Sequence, residues 1–157
     1  RDEYAAYTES PEVYQRNMER LQIKWQTARS LVPKAEIQSS GNRVGVLYYG
    51  TTSLPVPEAL DKLANSGVRL DTCRVRAFPF GDEVADFIAD HELVFVVEQN
   101  RDAQMRTLLI NELETNPAKL IPILYFAGLS ISADYIDEQI SAYYEEHKLA
   151  RLTEVTS

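Results

Sequence analysis

From residue 44 onward the apolar positions come in two kinds of block, and the kinds alternate. Short runs such as VGVLYY at Val44–Tyr49 and LVFVV at 93–97 are continuously apolar, as strands covered on both faces are. Between them, apolar residues recur three and four apart, the spacing of one helix face. Residues 55–65 carry Val56, Leu60 and Leu63 in this way, and Gly67 follows where a left-handed helix cap is expected. Residues 68–75 read as a second strand, with Val68, Leu70, Thr72 and Arg74 alternating. FPFGDEV reads as a turn with Asp82 as N-cap, and Val84, Phe87 and Ile88 form the inner face of the next helix. Met105, Leu108, Leu109 and Leu113 make a stripe that stops before Pro117. Residues 120–126 are a fourth strand, after which Ser132 caps a last helix with Ile136, Ile140 and Tyr143 turned inward. Residues 35–38 add a fifth, edge strand.

Strands alternating with helices of this length imply right-handed crossovers and a parallel sheet covered on both faces. The first thirty residues differ. Ser10 and Pro11 mark a helix start. Tyr14, Met18, Leu21, Trp25, Ala28 and Val32 then recur at spacings of four and three, one apolar stripe about five turns long. Either this arm packs on its own domain or part of the stripe faces a neighbour. Trp25 is costly to leave in water, so something should cover it. The expected organisation is a linker and long helix over 1–33, an α/β domain over 34–150, and a tail over 151–157.

Length and charge narrow the picture. A chain of 157 residues buries roughly 70% of its unfolded surface and needs no disulfide or metal to fold. A net charge of −8 argues against a nucleic-acid surface, which requires clustered Lys and Arg. No apolar run approaches a membrane span, and no signal peptide is visible. With the single Cys73, which has no bridge partner and reads as a small core residue, this fits a cytoplasmic protein. The chain starts at Arg1, as after processing or excision from something longer.

In open parallel sheets, ligands and partners gather at the carboxyl ends of the strands, where crossover direction reverses. The loop GTTSLPVPE after the first parallel strand offers Gly50, three hydroxyls and a helix N-terminus, which suits an anion or a partner's carboxylate. It is a weak phosphate loop, with no Lys in the required place. The loop after the third strand carries Glu98, Gln99, Asn100, Arg101 and Asp102. Asn100 or Asp102 can cap the following helix. Capping does not ask for a Glu at the strand's end together with the fork-shaped donor Arg101 and Gln104 in the first turn. A functional or interface role is therefore expected. Other chemistry is sparse: His91 and His147 are far apart and each follows a helix, where an imidazolium suits the dipole. There is no nucleophile elbow and no dinucleotide loop.

VFVVEQNRDAQMRTLL, preceded by GVLYYGTT, a strand and RAFPF, resembles the carboxyl-terminal domain of the α subunit of 2-oxoacid:ferredoxin oxidoreductases. The nearest likeness is to the 2-oxoglutarate branch, in the form whose α chain also carries a fused γ-type domain. It covers residues 10–144 and includes SPEVYQRNMERLQIKW, similar to the linker out of that family's preceding thiamine domain. Many members have Gly where this chain has Ala103; alanine suits a helix's first turn, so the change is expected to be mild.

The resemblance implies the transketolase C-terminal fold, a three-layer α/β/α sandwich. Its five-stranded, mostly parallel sheet runs in the order 1-3-2-4-5 with the first strand antiparallel, which puts Gly50 and Glu98 on neighbouring strands. It implies a whole enzyme that decarboxylates a 2-oxoacid on thiamine diphosphate and Mg, reduces ferredoxin through a [4Fe–4S] cluster, and transfers the acyl group to coenzyme A. One cysteine cannot hold such a cluster. The fragment is therefore expected to be catalytically silent, a scaffold that docks the thiamine-binding domain of the same subunit and the β subunit. Gly50, Thr51, Thr52, Glu98, Asn100, Arg101 and Gln104 would form its contact edge. Two other readings share these loops: a free-standing flavodoxin-like module holding a small anion, and the C-terminal domain of a transketolase or an E1 component. EQNRDAQ favours the ferredoxin-linked branch.

Overall fold

The computed structural model describes residues 1–149; the expected tail over 151–157 lies outside them. Five strands form one sheet in the order β1-β3-β2-β4-β5. They are β1 (Glu36–Gln38), β2 (Val44–Tyr49), β3 (Asp71–Val75), β4 (Leu93–Glu98) and β5 (Leu120–Leu124). β1 runs antiparallel to β3, and the pairs β2–β3, β2–β4 and β4–β5 are parallel. The helices are α1 (Pro11–Leu31), α2 (Val56–Asn65), α3 (Asp82–Asp90), α4 (Gln104–Leu113) and α5 (Ala133–Glu146). This is the sheet order and the antiparallel first strand that the sequence led us to expect.

The apolar strands divide their side chains between two cores. Val46, Tyr48, Phe95, Val97 and Ile123 meet Val56, Ala59 and Leu63 of α2 and Ile136, Ile140 and Tyr144 of α5. Leu47, Cys73, Val75, Val94 and Val96 meet Val84, Phe87 and Ile88 of α3 and Leu109 of α4. Successive residues of a strand point to opposite faces, so a continuously apolar run fills both layers. Gly45 is fixed by the second layer: a Cβ there would stand 2.7 Å from Cζ of Phe87. Cys73 is fully buried, and burial, with the Glu83 charge nearby, pushes its thiol up to about 12. It behaves as a core residue.

Several boundaries differ from expectation. β3 begins at Asp71, because the parallel pairing with β2 starts at Gly45–Asp71 and 68–70 have no strand beside them. β5 ends at Leu124, opposite Glu98, where β4 also ends. The N-cap of α3 is Gly81; Asp82 heads the first turn and pairs instead with Arg29 of α1 at 2.8 Å. On α4 only Leu109 is fully buried. On α5 the inward tyrosine is Tyr144, with Tyr143 half-buried. Ser10 and Ser132 cap α1 and α5 as expected, accepting from Val13 N and Tyr135 N.

The amino end of the sheet is organised by Asp71. Its buried carboxylate accepts from Ser39 Oγ at 2.5 Å, Ser40 N at 3.0 Å and Asn42 Nδ2 at 2.6 Å, with Gly41 N and Asn42 N further out. Burial pushes the Asp71 carboxyl up, but these donors outweigh it and hold it down at about 2. The reversal from β1 to β2 is therefore wrapped around one side chain. His91 ends α3 as the sequence suggests, its Nδ1 2.6 Å from Phe87 O, and its Nε2 lies 3.3 Å from Asp71. His147 likewise closes α5, 3.0 Å from Tyr143 O.

α1 touches the rest of the molecule near its end. Trp25 packs edge-on to Phe78 at 5.2 Å, and Phe78 to the buried Phe80 at 5.1 Å, in a loop whose Phe78–Pro79 bond is cis. No residue of α1 is fully buried. No helix among the described residues is long and apolar enough to cross a membrane.

Candidate functional site

β2 and β4 are hydrogen-bonded neighbours, paired up to Tyr48–Val97, so the loops that leave them emerge side by side. The first loop is a 3₁₀ turn, Gly50–Ser53, that Gly50 enters at φ +57°, a left-handed conformation that glycine adopts without steric cost. Gln99 in the second loop closes the gap. Its Nε2 donates to Thr51 Oγ1 and to Thr52 Oγ1, both at 3.2 Å, and its Oε1 accepts from Ile131 N at 3.3 Å. One amide thus joins the loops after β2 and β4 to the approach to α5. Thr51 and Asn100 lie at the same edge of the molecule.

Glu98 explains the polar burst at the end of β4. It is 0% exposed, a position a carboxylate occupies only with its lone pairs satisfied. Its oxygens accept from Met105 N at 2.7 Å, Arg106 N at 3.1 Å and Asn100 Nδ2 at 2.7 Å. The first two are free amides of α4's first turn, so Glu98 does the work of an N-cap from the strand, where the helix dipole also favours its charge. Asn100 in turn accepts from Asp102 N and Gln104 N through Oδ1. Capping is therefore shared between Glu98 and Asn100. Asp102, the other expected cap, pairs with the exposed Arg101 at 2.7 Å.

The residue in the N-cap position of α4 is Ala103, at φ +49° and ψ +48°. The expectation that alanine sits here in an ordinary helical first turn is overturned. The chain has to turn back for Glu98 to reach the α4 amides, and it does so in the left-handed region, which costs a residue with a Cβ about 1–2 kcal/mol.

Of the seven residues singled out from the sequence, Glu98 and Thr52 are buried and hold the loops from behind. Gly50, Thr51, Arg101 and Gln104 are exposed, and Asn100 is half-buried. Two further residues belong to the group. Gln99 stood in the same stretch, but its role depends on a residue 32 positions away. Tyr49, at the end of β2, has its hydroxyl pushed up by burial and by Glu98, with a hydrogen bond from Asn100 pulling it back. Around this polar centre three large apolar side chains stand in water, Leu54, Phe126 and Leu129 at 79%, 65% and 76%. An open groove of about 1040 Å³ lies at the other end of the sheet, beside Asn42, Asn65 and Arg69.

Fold and site together define a three-layer α/β domain whose distinctive polar groups lie at the carboxyl edge of its parallel strands. Over 114 residues, 69% of its length, the chain is 32% identical to subunit alpha of 2-oxoacid:ferredoxin oxidoreductase 2 from Aeropyrum pernix, of which it spans 18%. The fold is shared with the 2-oxoglutarate:ferredoxin oxidoreductase from Magnetococcus marinus, solved with 2-oxoglutarate, coenzyme A and succinyl-CoA bound. That likeness has a TM-score of 0.76 at 20% identity, over 87% of this chain and 24% of the other. The alpha chain of a probable 2-oxoacid ferredoxin oxidoreductase from Thermoplasma acidophilum aligns at a TM-score of 0.49 and 20% identity, over 71% of this chain and 97% of that one. No protein-family model matches. The chain is thus related to the α subunits of 2-oxoacid:ferredoxin oxidoreductases, over a domain-sized part of their length.

Proposed function

We propose that this chain is the carboxyl-terminal scaffold domain of the α subunit of a cytoplasmic, thiamine-diphosphate-dependent 2-oxoacid:ferredoxin oxidoreductase. The preferred substrate on this reading is 2-oxoglutarate, the acid bound in the Magnetococcus enzyme of the same fold. The domain carries none of the chemistry itself. Thiamine diphosphate, Mg, the [4Fe–4S] cluster and coenzyme A are held by the rest of the assembly, which passes its electrons to ferredoxin. Its task is to seat the thiamine-binding domain of its own subunit and the β subunit.

The observation that carries this reading is the Gln99 bridge. It fixes the loops after β2 and β4 in one frame, with Thr51, Arg101 and Gln104 facing outward. Thr51 accepts from Gln99 and Arg101 pairs with Asp102, which suits a preformed docking edge better than a reacting centre. Replacing Arg101 with Ala in the assembled enzyme should lower the fraction of intact complex on gel filtration or reduce turnover. Unchanged assembly together with unchanged kinetics would remove the proposal.

A further inference from the structure

We infer that α1 is a hinged strap. Its first half, residues 11–24, lies outside the cooperative structure of the domain. Its end is latched by Trp25 to Phe78 in the loop after β3, and it swings about residues 32–34. The inference does not rest on the role proposed for the carboxyl-edge loops.

A helix of 21 residues is marginal in water by itself, and helices in proteins draw most of their stability from a packed face. This one has little packing to draw on. From 18 to 27 every residue is exposed, and Tyr14, Leu21 and Ile23 stand largely in water. Asn17 is half-buried, but its Nδ2 donates to the carbonyl of Arg1 at 2.8 Å, a contact within the arm itself.

What fastens α1 gathers at its end. Trp25 lies 5.2 Å from Phe78, yet the two residues remain 46% and 40% exposed, so the contact buries only part of the area of a core pair. Arg29 meets Asp82 at 2.8 Å, but the Asp82 side chain is 90% exposed, where an ion pair adds little. Arg29 Nε is shut away from water with no hydrogen-bond partner, a cost against the closed position.

Beyond the helix the attachment changes. Val32 is extended, at φ −70° and ψ 155°, as a residue before proline is. Ala35 N is held by Glu83 Oε1 at 2.9 Å. The chain is thus fixed to the domain from Ala35 onward, and residues 32–34 are the joint, the end of an element where hinges form. Tyr49 and Val75 pair at the ends of β2 and β3, so the loop bearing Phe78 leaves the sheet beside the Gly50 turn. An open strap therefore bares Phe78 at the edge that carries Thr51 and Gln99.

The test uses the 157-residue chain, whose single tryptophan, Trp25, reports the latch and whose single cysteine, Cys73, reports the sheet. Cys73 is fully buried and lies between β1 and β2, so a thiol reagent reaches it only when the domain opens. As urea rises, acrylamide quenching of Trp25 should reach its unfolded value while Cys73 still reacts about 100-fold more slowly than in the unfolded chain. Cys73 reacting before Trp25 is freed, or both changing in one coincident transition, overturns the inference, because α1 then belongs to the cooperative domain. Phe78→Ala removes the ring on which Trp25 rests. In that variant Trp25 should be quenched without urea as in the unfolded chain, with Cys73 as protected as in wild type. Trp25 still shielded would put the latch elsewhere, and Cys73 exposed would make Phe78 a support of the core; either result overturns the inference.

Discussion

Replacing Glu98 with alanine removes the acceptor of three hydrogen bonds at once. Met105 N and Arg106 N would be left without partners at the start of α4. At about 1–3 kcal/mol for each buried donor, partly relieved by water, we expect a loss of about 2–4 kcal/mol in urea unfolding. A loss under about 0.5 kcal/mol would mean the carboxylate is not the cap. Asp71 makes a prediction in pH. Its carboxyl is held at about 2 against an ordinary 3.8, so the folded state favours the charged form. The stabilisation, about 2 kcal/mol, is complete above the ordinary value and drains away as pH falls from there toward 2. Wild type should thus exceed Asp71→Asn in stability at neutral pH, and the gap should narrow as acid is added below pH 4. A gap constant across that range would rule this out. Neither role was legible in the sequence. Asp71 reads as one polar residue in a strand, and the donors that define it lie about 30 positions earlier. Glu98 stood out by its position, but two of its three partners are backbone amides, which leave no trace in side-chain pattern.

Elements were legible where one period runs unopposed. VGVLYY, the faces of α2 and α3, and the Ser10 and Ser132 caps are local signals, and the structure keeps them. Their limits are set by neighbours instead: β3 starts where β2 can pair with it, and β5 stops where β4 stops. The join between β4 and α4 is where local reasoning failed. Ala103 has good helix propensity, yet the turn puts it at φ +49°. Ala103→Gly should raise stability by about 1 kcal/mol, the left-handed cost less the entropy glycine adds to the unfolded chain. A destabilised variant in the same urea titration would show that the turn holds alanine without strain.

At the level of the whole molecule, polarity is distributed unevenly between the two ends of the sheet. The carboxyl end shows Leu54, Phe126 and Leu129 to water around its polar loops, an arrangement found where surfaces are covered by partners. Changing Phe126 and Leu129 together to Ser should leave unfolding of the domain within about 0.5 kcal/mol, as for other surface changes, while lowering the yield of assembled enzyme. A normal yield would show that this rim is not covered. The amino end is the reverse case: Asp71 gathers the reversal between β1 and β2 through the donors of Ser39, Ser40 and Asn42. A frame anchored at one pole leaves the other pole free to vary. Changes confined to the strand-end loops would therefore leave the reversal around Asp71 in place.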